Sequence, residues 1–205
     1  MYAPKHFDEA RTDVLHGLVH DHPLGTLVLH GADGLCADLL PFEIAGPTPE
    51  APFGTLRAHV ARANPLWQRT GSEVLAIFQG PSAYISPALY EDKPVHGKVV
   101  PTWNYAVVQA HGTLRAIEDP AWILAFLTGL TARHESTRAA PWAVGDAPAG
   151  YIDKLLGAIV GIEIALTRIE GKWKMSQNRS AADRATIEAE VPAIAGTMAA
   201  LRVQA

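Results

Sequence analysis

Apolar residues recur with two different periods along this chain, and the switches between them lay out its elements. Near the N-terminus Phe7, Val14, Leu15, Leu18 and Val19 gather on one side of a helical repeat. Asp8 stands as its N-cap, and Asp21-His22-Pro23 stops it. Two β-rich runs follow, Leu24 to His30 and Leu35 to Ile44, joined by Gly31-Ala32-Asp33-Gly34, a hairpin turn of the kind that needs positive φ. Pro41 confines the second run to an edge or a bulge near its end, because proline has no N–H to give a neighbouring strand. A proline-rich loop, Gly46 to Pro52, leads to a third strand, Phe53 to Val60, and Asn64-Pro65 then sets an N-cap before a first-turn proline.

Val74 to Phe78 is short and wholly apolar, suited to the middle of a sheet or barrel. Gly80-Pro81 ends it, and Ala83 to Pro87 resumes in extended form. Tyr90 to Gly97 reads as an exposed loop, and Lys98 to Ile117 gives the longest β pattern. Asp119-Pro120 opens a helix carrying Trp122, Ile123, Phe126, Leu127 and Leu130, ending near His134-Glu135. After a loop from Ser136 to Gly150 and a short helix from Tyr151 to Leu156, the apolar run Ala158 to Ile169 reads as a buried strand. From Arg179 an Ala- and charge-rich pattern predicts a terminal helix interrupted by Pro192. Six or seven strands, with helices between and at the ends, predict a mainly β fold with flanking helices. The expectation is a β-barrel in one domain over residues 1–205, with a helical extension from about 179.

The candidate chemistry concentrates in Gly171-Lys172-Trp173-Lys174-Met175-Ser176-Gln177-Asn178-Arg179, directly after that last strand. Three cations, one indole and three hydrogen-bonding side chains in nine residues exceed what a strand end requires. Charge with hydroxyl and amide donors suits a phosphate, and Trp suits an aromatic ring. The other reading is a solvated strand end with Trp173 tucked into the core. Arg62 ahead of Asn64-Pro65 makes a second candidate, since a helix N-terminus favours an anion; plain capping with Arg62 in solvent is its alternative. Thr102-Trp103-Asn104-Tyr105 forms a third, an amphipathic surface of rings and directed donors, or else one face of a buried strand.

Composition acts by exclusion. Hydrophobic content of 48% with 19% charged residues describes a globular chain with ample core. A net charge of -4 and a pI near 6.1 argue against a generally basic surface, so any DNA contact needs a local patch or an oligomer's combined face. A single cysteine, Cys36, leaves no internal disulfide and fits a reducing cytoplasm. The first ten residues have no apolar signal core, and the longest apolar stretch, Leu155 to Leu166, is short and carries Glu163. A cytoplasmic protein without a membrane span is expected. His16 and His20 sit four apart, a spacing that can hold a metal, but no carboxylate or cysteine completes a site. There is no G-x-G-x-x-G, Walker loop, G-x-S-x-G or C-x-x-C, so neither a metal nor a catalytic nucleophile is predicted.

Taken together these segments resemble the PaiB family of FMN-binding negative transcriptional regulators. The resemblance rests on MYAPKHF at 1–7, PLGTLV at 23–28, LPFEI at 40–44, HVARANPLW at 59–67 and IFQGPSAYISP at 77–87. It continues through GKVVPTWNY at 97–105, TARHE at 131–135, AIVGIEI, GKWKMSQNR and the later DR. One departure follows Ser86-Pro87, where a tryptophan-bearing turn is replaced by Ala88-Leu89-Tyr90. The resemblance implies an FMN-binding split β-barrel, usually a homodimer with FMN at the subunit interface. By analogy with related barrels, Arg62 and Asn64 would hold the phosphate. Thr102, Trp103 and Asn104 would line the isoalloxazine, with Lys172, Trp173, Ser176, Gln177 and Arg179 reaching across from a partner subunit. Two functions follow: a flavin-binding regulator contacting DNA, or an FMN-dependent oxidoreductase of the pyridoxamine-phosphate-oxidase or flavin-reductase type acting on a small substrate.

Overall fold

Hydrogen-bonded strands dominate the computed structural model of this chain, which describes residues 1–31, 34–91 and 93–202. Its strands are β1 (Asp8–Glu9), β2 (Leu24–Gly31), β3 (Gly34–Pro41), β4 (Glu43–Ala45), β5 (Thr55–Ala61), β6 (Glu73–Ile85), β7 (Thr102–Ile117) and β8 (Ile159–Lys174). The helices are α1 (Thr12–Asp21), α2 (Lys93–His96), α3 (Pro120–Glu135), α4 (Ala149–Gly157), α5 (Ala181–Glu190) and α6 (Pro192–Arg202). The fold is a mostly antiparallel sheet with flanking helices. Among the described residues no helix is long and apolar enough to cross a membrane. The chain forms two compact units, one of Met1–His22, Phe78–Gln109 and Glu170–Ala205, the other of Pro23–Ile77 and Ala110–Ile169.

In the second unit β2 and β3 form the expected hairpin, in register from Leu24↔Pro41 to Gly31↔Gly34. Gly34 takes φ 106°, a value glycine adopts without steric cost. Ala32 and Asp33, the centre of the predicted turn, lie outside the described residues. Pro41 closes β3 at its last position, and Phe42 is buried before β4 begins. β5 pairs antiparallel with β8 from Thr55↔Ala165 to Ala61↔Ile159. Alternation sends Leu56, Ala58 and Val60 into the core with Val160, Ile162 and Ile164. The opposite side of these strands is covered by α3, whose start at Asp119-Pro120 is as predicted: the Asp119 carboxylate accepts the Ala121 N–H at 2.9 Å. The Trp122 ring lies 2.4 Å from where a Cβ on residue 161 would stand, so only glycine fits there. Phe126 stacks on Trp122 at 5.4 Å and meets the His59 ring edge-on at 5.9 Å.

In the first unit three expectations change. Asp8 does not cap α1; it belongs to β1, paired with Lys172 while Glu9 pairs with Gly171. The backbone here is already engaged, since the Phe7 carbonyl accepts the Trp173 N–H at 2.8 Å. The helix starts later, after Arg11, with no side-chain cap. Next, β6 runs unbroken through Gly80-Pro81. Its register with β2 ends at Ile77, so Pro81 lies past the last β2 partner on that side. Gly80 is needed for close packing, its missing Cβ lying 2.9 Å from Leu18 and 3.3 Å from Ala106. Third, β8 continues to Lys174 rather than ending near Ile169, because β1 supplies a ladder for the added residues. The strand count is accordingly eight among the described residues, against six or seven expected. The terminal helix divides at Pro192 as anticipated, and Ser180 caps its first half by accepting the Asp183 N–H.

Two predictions follow from this packing. A Cβ on Gly171 would fall 2.2 Å from Leu15, 2.6 Å from Trp173 and 2.9 Å from the Glu9 carbonyl. Gly171→Ala should therefore cost about 1–3 kcal/mol in urea unfolding. Gly129→Ala, in mid-α3 with nothing within 4 Å, should gain about 0.5–1 kcal/mol. The second concerns His59, whose Nδ1 is buried without a partner and whose imidazole burial pushes below its ordinary 6.5. The unfolded chain then takes up a proton that the folded chain resists, so this contribution is intact above pH 6.5 and is lost as pH falls below it. The fall in melting temperature from pH 7 to 5.5 should be smaller in His59→Phe than in the natural chain.

Candidate functional site

Because Gly171 lets β1 and α1 close on β8, the residues after it emerge with fixed sides. Strand alternation turns Trp173 inward, where it is 6% exposed, and leaves Lys172 and Lys174 together on the other face. The chain then turns through Ser176, which adopts φ 61°, the only positive φ outside glycine among the described residues. Gln177 ties this turn down: its side-chain oxygen accepts the Met175 N–H at 2.7 Å and its amide donates to the Trp173 carbonyl at 2.5 Å. Ser176 is locked from β7, with Asn104 Nδ2 donating to its hydroxyl at 2.9 Å and the hydroxyl lying 3.2 Å from Asn104 Oδ1. Both side chains are buried, at 1% and 4% exposure.

The three cations of the Gly171–Arg179 stretch share one property. Lys174 Nζ donates to Thr102 Oγ1 and, at 2.7 Å, to the Trp103 carbonyl. Lys172 Nζ donates to the Tyr2 carbonyl at 3.1 Å and lies over the rings of Tyr105 and Tyr2 at 5.4 and 5.7 Å. The Arg179 guanidinium covers the Tyr90 ring at 4.3 Å, and the buried Tyr90 hydroxyl has no partner. Among the described residues no carboxylate pairs with Lys172, Lys174 or Arg179. Burial pushes the Lys174 ammonium below its ordinary range; Tyr105 opposes this, and the charges of Lys172 and Arg179 add to it. Beside these cations Trp103 stays 57% exposed, edge-on to the half-exposed Tyr84 at 6.0 Å. A cavity of about 240 Å³ is lined by Gln79, Gly80, Ser82, Tyr105, Ala106 and Val107. Positive charge without a counter-ion, next to open ring surface, can hold an anion that carries an aromatic body.

Of the ten residues singled out in the sequence, Thr102, Trp103, Asn104, Lys172, Trp173, Ser176, Gln177 and Arg179 belong to this unit. Gln177 holds backbone, Asn104 and Ser176 hold each other, Trp173 fills core and Thr102 accepts from Lys174, so charge and ring surface come from Lys172, Arg179 and Trp103. Lys174 and Tyr105 stand in two of the candidate stretches but not among these ten, and Tyr84 carries no sequence-based assignment; the two-residue spacing of Lys172 and Lys174 is the signal that joins them, once the strand is extended past Ile169.

Arg62 and Asn64 lie in the other unit. Arg62 Nε donates to the Gly157 carbonyl at 2.9 Å, one Nη to Glu118 at 2.6 Å and the other to the Ile159 carbonyl at 3.3 Å. Asn64 caps a five-residue 3₁₀ turn, Pro65–Arg69, by accepting the Leu66 N–H at 2.9 Å, and its amide donates to Asp38 at 2.7 Å. This turn is thus a capped junction whose arginine already has an acidic partner.

The family model described as "Putative FMN-binding domain" matches residues 1–168. An uncharacterized protein of Emericella nidulans is 35% identical over 90% of this chain and 87% of its own length. Protease synthase and sporulation protein PAI 2 of Bacillus subtilis is 30% identical over 89% of this chain and 85% of its own. Among solved structures, the FAD and heme binding protein from Mycobacterium smegmatis superposes with a TM-score of 0.62 at 17% identity, covering 87% of this chain and 78% of that one. That likeness concerns the fold.

The Asn104–Ser176 lock gives a direct test. Asn104→Ala leaves the Ser176 hydroxyl buried without its partner and should cost about 1–3 kcal/mol in denaturant unfolding. Replacing both residues with Ala should cost less than the sum of the single changes, as a double-mutant cycle reads.

Proposed function

The chain belongs to the FMN-binding domain family, with a split-barrel flavoprotein fold and FMN as its cofactor, and from that we propose an FMN-binding transcriptional regulator acting as a homodimer. The observation that carries the flavin assignment within this chain is the set of cations without carboxylate partners, Lys172, Lys174 and Arg179, beside Thr102, Trp103 and Asn104. Lys172 and Arg179 hold the phosphate by charge, and Trp103 offers ring surface to the isoalloxazine. Thr102 and Asn104 position this surface through Lys174 and Ser176. Arg62 already meets Glu118 and Asn64 already meets Asp38, so neither is assigned to this phosphate. Bound flavin supplies a redox-sensitive group that takes up electrons reversibly. The Bacillus subtilis relative is named for sporulation, which supports a regulatory role, and the homodimer gives the chain a combined face for DNA.

An FMN-dependent oxidoreductase is the second reading, favoured by the cavity beside Tyr105, which leaves room for a small second molecule. A visible spectrum and an FMN titration followed by thermal unfolding test both. Saturation at 100-fold the dissociation constant adds about 2.7 kcal/mol, a rise of roughly 5–10 °C for a chain of this size. Lys172→Ala and Arg179→Ala should each weaken FMN about tenfold, and Arg62→Ala by less than about threefold. No flavin spectrum and no thermal shift would overturn both readings. Duplex DNA binding that falls steeply with salt supports the regulator, whereas steady oxidation of NADH or NADPH with a defined acceptor supports the enzyme.

A further inference from the structure

Lys174 carries more than a static charge. Its Nζ donates to two acceptors on one side, Thr102 Oγ1 and the Trp103 carbonyl. A neutral amine has two hydrogens, and both are used by those acceptors, so its lone pair points away from them. The amine is half-buried rather than enclosed. On the same strand face stands Lys172, and Arg179 follows the turn; neither has a carboxylate partner among the described residues. A nucleophile held in this way, beside two cations able to dock a phosphate, matches the needs of one reagent class.

We propose that Lys174 is a site of acylation by acyl phosphates, whose phosphate is docked by Lys172 and Arg179. Nζ attacks the acyl carbon, a C–N bond forms, and the C–O bond to phosphorus breaks with its electron pair leaving on phosphate. The departing phosphate takes up the proton that nitrogen loses, so no oxidant or further reactant enters. Burial and its cationic neighbours lower the proton affinity of Lys174, so a larger fraction of it is free amine than in an exposed lysine. The product amide keeps one N–H and no charge, so it retains one of the two bonds and removes a cation from the cluster. That acylation lowers FMN affinity rests on the flavin reading above; the reactivity itself does not.

The test uses the full, flavin-free chain treated with acetyl phosphate, with acetylation at each lysine followed by peptide mass spectrometry. Lys174 should react about tenfold faster than the exposed Lys154. Inorganic phosphate should slow Lys174 and leave Lys154 unchanged, and acetic anhydride, which has no phosphate to dock, should discriminate less. A Lys174 rate no higher than that of Lys154, or one that phosphate does not slow, overturns the proposal. FMN affinity is then measured on the acetylated chain. Selective acetylation with unchanged FMN affinity removes the regulatory consequence and keeps the site. Selective acetylation in a chain that never binds FMN keeps the site and overturns the flavin reading.

Discussion

The absence of one side chain, at Gly171, governs the geometry of the first unit. Three bodies converge on the volume a Cβ would take: Leu15 of α1, the Trp173 ring and the Glu9 carbonyl of β1. Their convergence lets β1 extend the ladder of β8 as far as Lys172. A strand held in a ladder cannot rotate its residues independently. Trp173 must face inward once Gly171 and the Phe7 carbonyl fix the backbone, and Lys172 and Lys174 must then share the opposite face. The cations are therefore placed by packing on the other side of their own strand.

Two ways of handling charge coexist in this chain, and the contrast separates architecture from chemistry. In the second unit, Glu163 is nearly buried and is met by both Arg57, at 3.2 Å, and Arg115. A buried carboxylate left alone would be costly, and two guanidinium groups remove that cost. Arg62 is similarly matched, by Glu118 and two carbonyls. In the first unit Arg11 likewise pairs with the buried Glu9, whereas Lys172, Lys174 and Arg179 meet rings, carbonyls and a hydroxyl, which stabilise a cation without neutralising it. Mutual repulsion among such groups is relieved by an anion. This makes Lys172, Lys174 and Arg179 better candidates for phosphate than Arg62.

Local signals in the sequence were reliable where neighbours in the chain decide the outcome. Asp119-Pro120 opens α3, Gly31 and Gly34 bracket a hairpin, and Pro192 divides the last helices, each for a reason contained within a few residues. Signals failed where a distant segment decides. Asp8 has the makings of an N-cap, but a partner 164 positions later takes its backbone into a strand. Gly80-Pro81 is a breaker in isolation and is tolerated because Leu18 and Ala106 need the room. Arg62 looked free because Glu118, Gly157 and Ile159 cannot be seen from residue 62. The crowding after Ile169 was legible as unusual, but its division of labour was not.

That division is the structural content of the Gly171–Arg179 stretch. Ser176 holds a left-handed conformation that a residue with a Cβ adopts at a cost of roughly 1–2 kcal/mol. Gln177 offsets this from within the turn, through Met175 and Trp173, and Asn104 offsets it from β7. Neutral donors and acceptors thus set the backbone, and the charged residues between them are left without structural ion pairs. If a carboxylate fixed the turn instead, it would neutralise the cations it positioned. An all-amide and hydroxyl scaffold avoids this, since it can specify a conformation without supplying charge. The side chains in excess of a strand end's needs are the means by which Lys172, Lys174 and Arg179 stay both located and unneutralised.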